Sequence, residues 1–348
     1  VSLFADMTYE GAYSITGPFL KGLGATAIQV GFIAGFGEMI AASLRYFTGK
    51  FADRTRAYWS IVTSGYLLNL IAVPALAFAG TWQAAALLIV VERTGKAMRG
   101  PARDVLLSEA TATVGHGWGF GLHAAMDQTG AVLGPLLMVA AVEHWKGFSM
   151  AFLPLAVPAF LALASIVLAH AYFPARGVPP KPPPPREMPD VFWRYVAAAG
   201  LLACGFVDFP LLSYHIQERA IVAPATIPLL YAGAMAVVGS SALLAGRLYD
   251  RYGIVVLAWG ILISLFSLPL GFLGGTTGVI IAVACWGAGI GIQDATLRPG
   301  IAQVVSMNKR GTAFGAFNGV YGVAWFAGSV LMGWLYSRSL TLLVVFGV

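Results

Sequence analysis

The sequence predicts an all-α protein that crosses a membrane many times, built as two pseudo-symmetric six-helix bundles. Three observations carry that prediction. The 348 residues are 58% hydrophobic and only 10% charged, with a mean hydropathy of +0.78, whereas a soluble domain carries about 25% charge. Apolar runs of roughly 20 residues, the length a helix needs to span a bilayer, recur along the whole chain. Short motifs also recur in the same order in the first and second halves. A membrane β-barrel is excluded, because its strands run about ten residues and alternate in polarity.

Taken in order, spans are expected at 1–22, 26–48, 58–80, 82–107, 118–142 and 148–173, then at 190–214, 222–246, 254–275, 277–305 and 312–336. The stub 339–348 is too short to cross and is expected to be the visible start of a twelfth span. The chain opens on Val1, so an N-terminal piece is expected to precede it. Between the sixth and seventh spans stands PARGVPPKPPPPREMPD, whose eight prolines exclude a helix and favour extended polyproline II. The expected organisation is therefore a bundle over 1–173, a linker over 174–190 and a second bundle over 191–348.

Lys and Arg orient the spans. Loops and span ends on one side hold fourteen of them: Arg45, Lys50, Arg54, Arg56, Arg99, Arg103, Arg176, Lys181, Arg186, Arg194, Arg247, Arg251, Lys309 and Arg310. The other side holds four, Lys21, Lys146, Arg219 and Arg338. The positive-inside rule then places both termini and the linker in the cytoplasm, in a multi-pass protein of the plasma membrane. The net charge of +6 follows this topology and does not point to a nucleic-acid partner. Cys204 and Cys285 lie in separate apolar stretches and read as small packed residues, not as a disulfide.

The halves repeat each other. GKFADRTR (49–56) follows span two and GRLYDRYG (246–253) follows span eight. GFG at 119–121 matches AFG at 313–315, and FAD at 4–6 matches FVD at 206–208. Repeats running in the same direction over six spans belong to one transporter architecture. The G-x-x-x-D-R-x-R pattern resembles the signature loop of the major facilitator superfamily, and GAVLGP (130–135) resembles its antiporter motif. Arg93, in ERTG, resembles the motif arginine of span four. The resemblance covers essentially the whole chain. It implies two six-helix bundles around a central cavity that opens alternately to either side. It also implies a conformational lock at Gly49, Asp53, Arg54, Gly246, Asp250 and Arg251, and an antiporter-like element at Gly130, Gly134 and Pro135. Thr55 and the run Leu136, Leu137 and Met138 depart from the family pattern.

The distribution of charge leads to the same interior without the family. Spans three, six and nine contain no Asp, Glu, Lys or Arg. The acids fall in spans one (Asp6, Glu10), two (Glu38), four (Glu92), five (Asp127), seven (Asp208) and ten (Asp294). Every third span is expected to face lipid, and the charged ones a polar interior, since intramembrane charges face cavities or partners. At about 1.5 Å per residue, Glu10, Glu38, Arg93, Asp127 and Asp208 come out near the midplane. Asp6, Asp294 and Arg298 lie nearer the cytoplasmic side.

Structural pairings offer themselves for several of these groups. Asp53, Arg54, Asp250 and Arg251 read as helix-end braces that hold one conformation. Glu92, Arg93 and Lys96 can neutralise one another on span four, and Arg298 can pair with Asp294 one turn away. His123 and Asp127, also one turn apart, are either a packed hydrogen-bonded pair or a proton relay. Within the spans, seven acids face three bases, Arg93, Lys96 and Arg298. A net charge of −4 in low dielectric cannot all stay ionised, so some acids are expected to bind protons near neutral pH.

Gly205 and Pro210 flank Asp208, and a hinge or unwound segment is expected there. Tyr9, Tyr321 and Trp325 are candidates to line the pocket, although aromatic residues at helical spacing more often pack.

The functional reading is a secondary active transporter coupling protons to export of a small cationic or amphiphilic molecule. Its partners are the substrate, protons and the bilayer, with no cofactor, and the monomer is the expected state. Export rests on GAVLGP, and the cationic preference on the acidic excess. One alternative is a divalent-metal transporter resembling ferroportins, with Asp6, Cys204 and Asp208 as ligands. Another is a non-transporting receptor of the same fold. An enzyme is not indicated, since neither H-E-x-x-H nor G-x-S-x-G occurs.

Overall fold

The computed structural model of the chain describes residues 1–110, 116–173, 188–305 and 310–348. The side chains of Asp53 and of residues 119–121, and most of the proline-rich stretch (174–187), lie outside the described residues. The first group of helices is α1 (Ser2–Gly22), α2 (Ala27–Thr55), α3 (Tyr58–Ala75), α4 (Trp82–Ala110), α5 (His116–Trp145) and α6 (Ala156–Tyr172). The second is α7 (Asp190–Gly205), α8 (Phe209–Glu218), α9 (Thr226–Tyr252), α10 (Val255–Ser264), α11 (Ser267–Leu273), α12 (Thr276–Val304), α13 (Arg310–Arg338) and α14 (Leu340–Gly347). Every described residue in regular structure is helical, as lipid requires of a spanning chain whose backbone groups must pair internally.

Nine stretches among the described residues are long and apolar enough to cross a membrane. The long helices α1 and α4 do not meet that standard. They carry Asp6 and Glu10, and Glu92, Arg93 and Lys96, so their polarity marks them as interior helices. The charge-free helices behave in the opposite way. Leu67 and Ile71 on α3, Phe160 and Val167 on α6, and Trp259 and Leu262 on α10 are exposed on the outer surface, where the surrounding solvent is lipid.

One apolar core gathers Phe19, Tyr66, Leu70, Phe152, Leu155 and Ile166, all from residues before 173. Another gathers Phe209, Leu212, Tyr231, Leu268, Phe272 and Trp286, and a third Phe192, Val196, Leu297, Ile301 and Phe317. Helices from the two groups meet chiefly where α2 packs on α13, α5 on α9 and α1 on α8.

Two features sharpen the expectations. Span seven is broken: α7 stops at Gly205, Phe206 and Asp208 are extended, and Pro210 sits in the first turn of α8. Proline needs no backbone donor in that position, and the Trp286 Nε1 donates to the Val207 carbonyl exposed by the break, at 2.8 Å. The second feature is a correction. Both Asp-Arg motifs lie on the last turns of helices α2 and α9, not in loops. Nothing in either breaks a helix until Arg56 (φ 54) and Gly253 (φ 62) adopt positive φ.

Candidate functional site

Alternate spans end on the same membrane face. One face receives the start of α1 and the C-terminal ends of α2, α4, α9 and α12, and carries Arg54, Arg56, Arg247 and Arg251. It is called the basic face below. A cavity of about 440 Å³ lies between α1, α2, α4, α5, α9, α12 and α13, a volume in the range of small-molecule sites. None of its lining comes from α3, α6, α10 or α11. Along α12, Trp286 is 2% exposed, whereas Asp294 and Arg298, further toward the basic face, are exposed. The cavity therefore opens toward the basic face and ends blind in the interior.

Its wall is a set of charge pairs. Arg93 Nη1 meets Glu38 Oε1 at 2.9 Å and its Nε meets Glu92 Oε2 at 3.2 Å, binding α4 to α2. Its guanidinium lies 5.0 Å from the Tyr13 ring centre, a cation–π contact. Glu92 is completed by Asn69 Nδ2 at 2.7 Å. Lys96 lies 4.0 Å over the Tyr9 ring and 3.7 Å from Glu10 Oε1. The other Glu10 oxygen accepts from the Tyr231 hydroxyl at 2.6 Å, so one carboxylate on α1 ties α4 to α9. Asp127 Oδ2 is 3.1 Å from His123 Nδ1, whose Nε2 is 2.8 Å from Ser2 Oγ. Asp6 on α1 and Asp127 on α5 line the same cavity, and Asp127 Oδ1 is buried with no hydrogen-bond partner among the described residues.

The opposite face is closed. Lys21 Nζ bonds Glu218 Oε2 at 2.9 Å, joining the ends of α1 and α8. Below it, Gly17 brings α1 against the Pro210 backbone, and Gly31 brings α2 against the Ser329 carbonyl of α13. Phe32 and Phe36 cover Phe326 at centroid distances of 5.4 and 5.8 Å.

The structure rearranges several sequence-level expectations. Asp6, Glu10, Glu38, Arg93, Asp127, Asp294 and Arg298 are brought together around the cavity, and Tyr321 and Trp325 line it. Asp208 does not line it. At 2% exposure it sits behind Trp325, accepting from Trp325 Nε1 at 2.6 Å and from Ser329 Oγ. The break in span seven aims the carboxylate at α13 instead of at the cavity. Tyr9 likewise lies behind the wall, under Lys96 and Arg99.

Asp6, Cys204 and Asp208 do not converge, and the described residues form no group of three metal-ligating side chains. Lys96 pairs across to Glu10, not within α4. Asp294 and Arg298, although one turn apart, form no ion pair within 4.0 Å.

Arg54, Asp250 and Arg251 are exposed and form no ion pair among the described residues. Gly49 touches Pro101 of α4, with 3.5 Å between Pro101 Cβ and a Cβ built on the glycine, and Gly246 has open space. No brace is therefore made by Arg54, Asp250 or Arg251 among the described residues, and the Asp53 side chain lies outside them. Gly130 and Gly134 seat α5 on α1: a Cβ at Gly134 would overlap the Met7 carbonyl oxygen. Pro135 lies inside the same helix.

Arg45 is the residue that sequence reasoning missed. Read along its helix it belongs to the basic end of α2, yet it lines the cavity. With it the lining holds five acids (Asp6, Glu10, Glu38, Asp127, Asp294) and four bases (Arg45, Arg93, Lys96, Arg298). The net charge, all ionised, is −1 in place of the expected −4, because Glu92 and Asp208 lie outside the lining and Arg45 lies within it.

Known proteins agree with this architecture. The chain is 40% identical over 355 residues to an uncharacterised protein of Mycobacterium tuberculosis, covering 99% of this chain and 87% of that one. It is 24% identical to an uncharacterised MFS-type transporter of Methanocaldococcus jannaschii, covering 99% of this chain and 89% of the relative. The crystal structure of the nucleoside transporter NupG superposes with a TM-score of 0.75 at 14% identity, covering 99% of this chain and 93% of that one. The model of the Major Facilitator Superfamily matches residues 1–329. With that match and these relatives, the chain belongs to the major facilitator superfamily, a family of transporters and not of enzymes.

Proposed function

We propose that the protein is a proton-coupled secondary transporter that moves a small polar organic solute by alternating access, seen here open to the cytoplasm. One observation carries the reading. A cavity between helices of both repeats is open at the basic face and sealed at the other by α1–α8 and α2–α13 contacts. The positive-inside rule identifies the basic face as cytoplasmic. The two repeats, residues 1–173 and 191–348, are the bodies that rock. Glu10 with Tyr231 is a polar contact between them around which they turn.

Asp6, Asp127 and His123 supply the proton site. Two carboxyl groups lining one site can hold a proton between them, and His123 connects Asp127 to Ser2 near the basic face. The grounds for export of a cation do not carry over to this reading. The glycines of GAVLGP serve α1–α5 packing, and the lining is close to neutral. NupG, the structural neighbour, is by its name a nucleoside transporter, and an uncharged polar solute of that size is compatible with this cavity.

The test uses paired spin labels in lipid nanodiscs. Gly22→Cys with Arg219→Cys reports the sealed face, and Ala110→Cys with Gln303→Cys reports the open one. Moving from pH 8 to pH 5 is expected to lengthen the first distance and shorten the second. One fixed distance at both pairs under all conditions would rule out alternating access.

A further inference from the structure

We infer that the solute carries a carboxylate or phosphate group, held between Arg45 on α2 and Arg298 on α12 at the mouth of the cavity. The inference rests on the transport reading above and names the chemistry of its cargo.

It begins with the charges that the wall leaves over. Among the lining groups, Glu10 is matched by Lys96, Glu38 by Arg93, and Asp127 by His123. Among the described residues Asp6, Arg45, Asp294 and Arg298 have no ion-pair partner within 4.0 Å. Arg45 Nε is buried and has no hydrogen-bond partner among the described residues. The charged groups that face Arg45 are Glu38, Arg298, Arg103 and Asp104. Both acids in that set are committed elsewhere, Glu38 to Arg93 and Asp104 to Arg103, each at 2.9 Å. Arg45 and Arg298 therefore line one cavity within electrostatic reach of each other, and the acid nearest to them in that lining without a cation is Asp294, one turn from Arg298 on its own helix.

A guanidinium inside a membrane protein with an unmet donor is costly, and a second cation within electrostatic reach adds repulsion. An anion entering from solution meets both costs together. The planar fork of Arg suits the two oxygens of a carboxylate or phosphate, which a neutral solute cannot replace. The remainder of the cavity then accommodates the organic part of the solute against Phe317, Tyr321 and Trp325.

The placement also couples binding to motion. Arg45 belongs to the first repeat and Arg298 to the second, at the face where the walls stand apart. An anion shared between them draws α2 and α12 together, which is the movement that closes this face. A substrate shifts such an equilibrium only by interacting better with the closed state, and a two-arginine bridge supplies that difference.

The test is binding to the purified full chain, read by thermal unfolding and calorimetry, with inorganic phosphate, succinate, uridine and tetraethylammonium as probes. Phosphate or succinate is expected to stabilise the protein. Arg298→Gln and Arg45→Gln should each weaken that binding at least about tenfold, the loss expected for a hydrogen bond to a charged partner. Arg219→Gln, on the sealed face, is expected to bind as the unmodified chain does. Arg298 is exposed, so its variant keeps the test valid if Arg45→Gln fails to fold.

The inference is overturned if only uridine or tetraethylammonium binds, if anion binding survives in the arginine variants, or if no probe binds at millimolar concentration. Alternating access is judged separately, by the spin-label distances. Fixed distances with intact anion binding would reject transport and keep the anion site; moving distances with no anion binding would do the reverse.

Discussion

Replacing Gly17 by alanine tests the seal directly. A Cβ at this position would lie 2.9 Å from the Pro210 carbonyl carbon and closer still to its oxygen, with Ser213 Oγ beside it, whereas ordinary contact begins at 3.4 Å. The Ser213 side chain can rotate away, but the Pro210 backbone is fixed in the first turn of α8, so α1 and α8 must separate by about 1 Å or distort. Overpacking of this kind costs about 1–3 kcal/mol. The penalty falls only on the state in which α1 and α8 touch, so it converts into a shift of roughly 5- to 150-fold toward the state open at the far face.

The assay is the distance distribution between labels at residues 22 and 219, recorded with and without Gly17→Ala. A longer-distance population should grow from minor to dominant. Gly233→Ala is the control, because a Cβ there meets nothing within 4 Å. Two results would refute the reasoning. Unchanged distances and unchanged thermal stability would mean that the helices are not in contact at Gly17. A large loss of stability without a shift in distances would mean that the contact is a fixed part of the fold and not a moving seal.

Arg93→Met should be the most damaging change in the wall, since it leaves Glu38 and Glu92 facing each other without a cation. A loss of about 3–5 kcal/mol is expected, read by thermal unfolding, and Glu38→Gln should cost less because that carboxylate is 34% exposed. Lys21→Ala should move the far-face populations less than about fivefold, because exposed ion pairs contribute about 0–1 kcal/mol. The Lys21 effect should vanish in high salt, and a large salt-resistant shift would contradict this assignment. Asp127→Asn should abolish proton movement accompanying solute in proteoliposomes while solute binding persists. Retained proton movement would remove the Asp6–Asp127–His123 group from the coupling mechanism.

The helices were legible in the sequence because lipid offers no partner to an open backbone, so each crossing must be helical or have its freed backbone groups paired inside the protein. The interior was legible for a related reason. Carboxylates inside a membrane are too costly to face lipid, and the placement of Glu10, Glu38 and Asp127 on a common cavity followed from residue type and depth alone. The break at Asp208 was also visible, since glycine and proline flank it.

Direction and partnership were not legible. Depth along a helix says nothing about which way a side chain points, and a long guanidinium reaches well beyond its own Cα. Arg45 therefore reads as the basic end of a span while standing in the cavity, and its presence changes the inferred charge of the site. Asp208 reads as a cavity acid, yet its partners Trp325 and Ser329 are 117 and 121 residues away, beyond any local pattern.

By itself, then, the sequence determined the membrane, the helices, the internal repeat and the family, because each follows from local composition or from a short pattern read in order. The tertiary structure alone decided which charges neutralise one another, which two arginines are left over, and which face of the cavity is open. Those depend on side-chain contacts between helices distant in the chain, where differences of a few ångströms decide whether two charges pair or face each other unmatched.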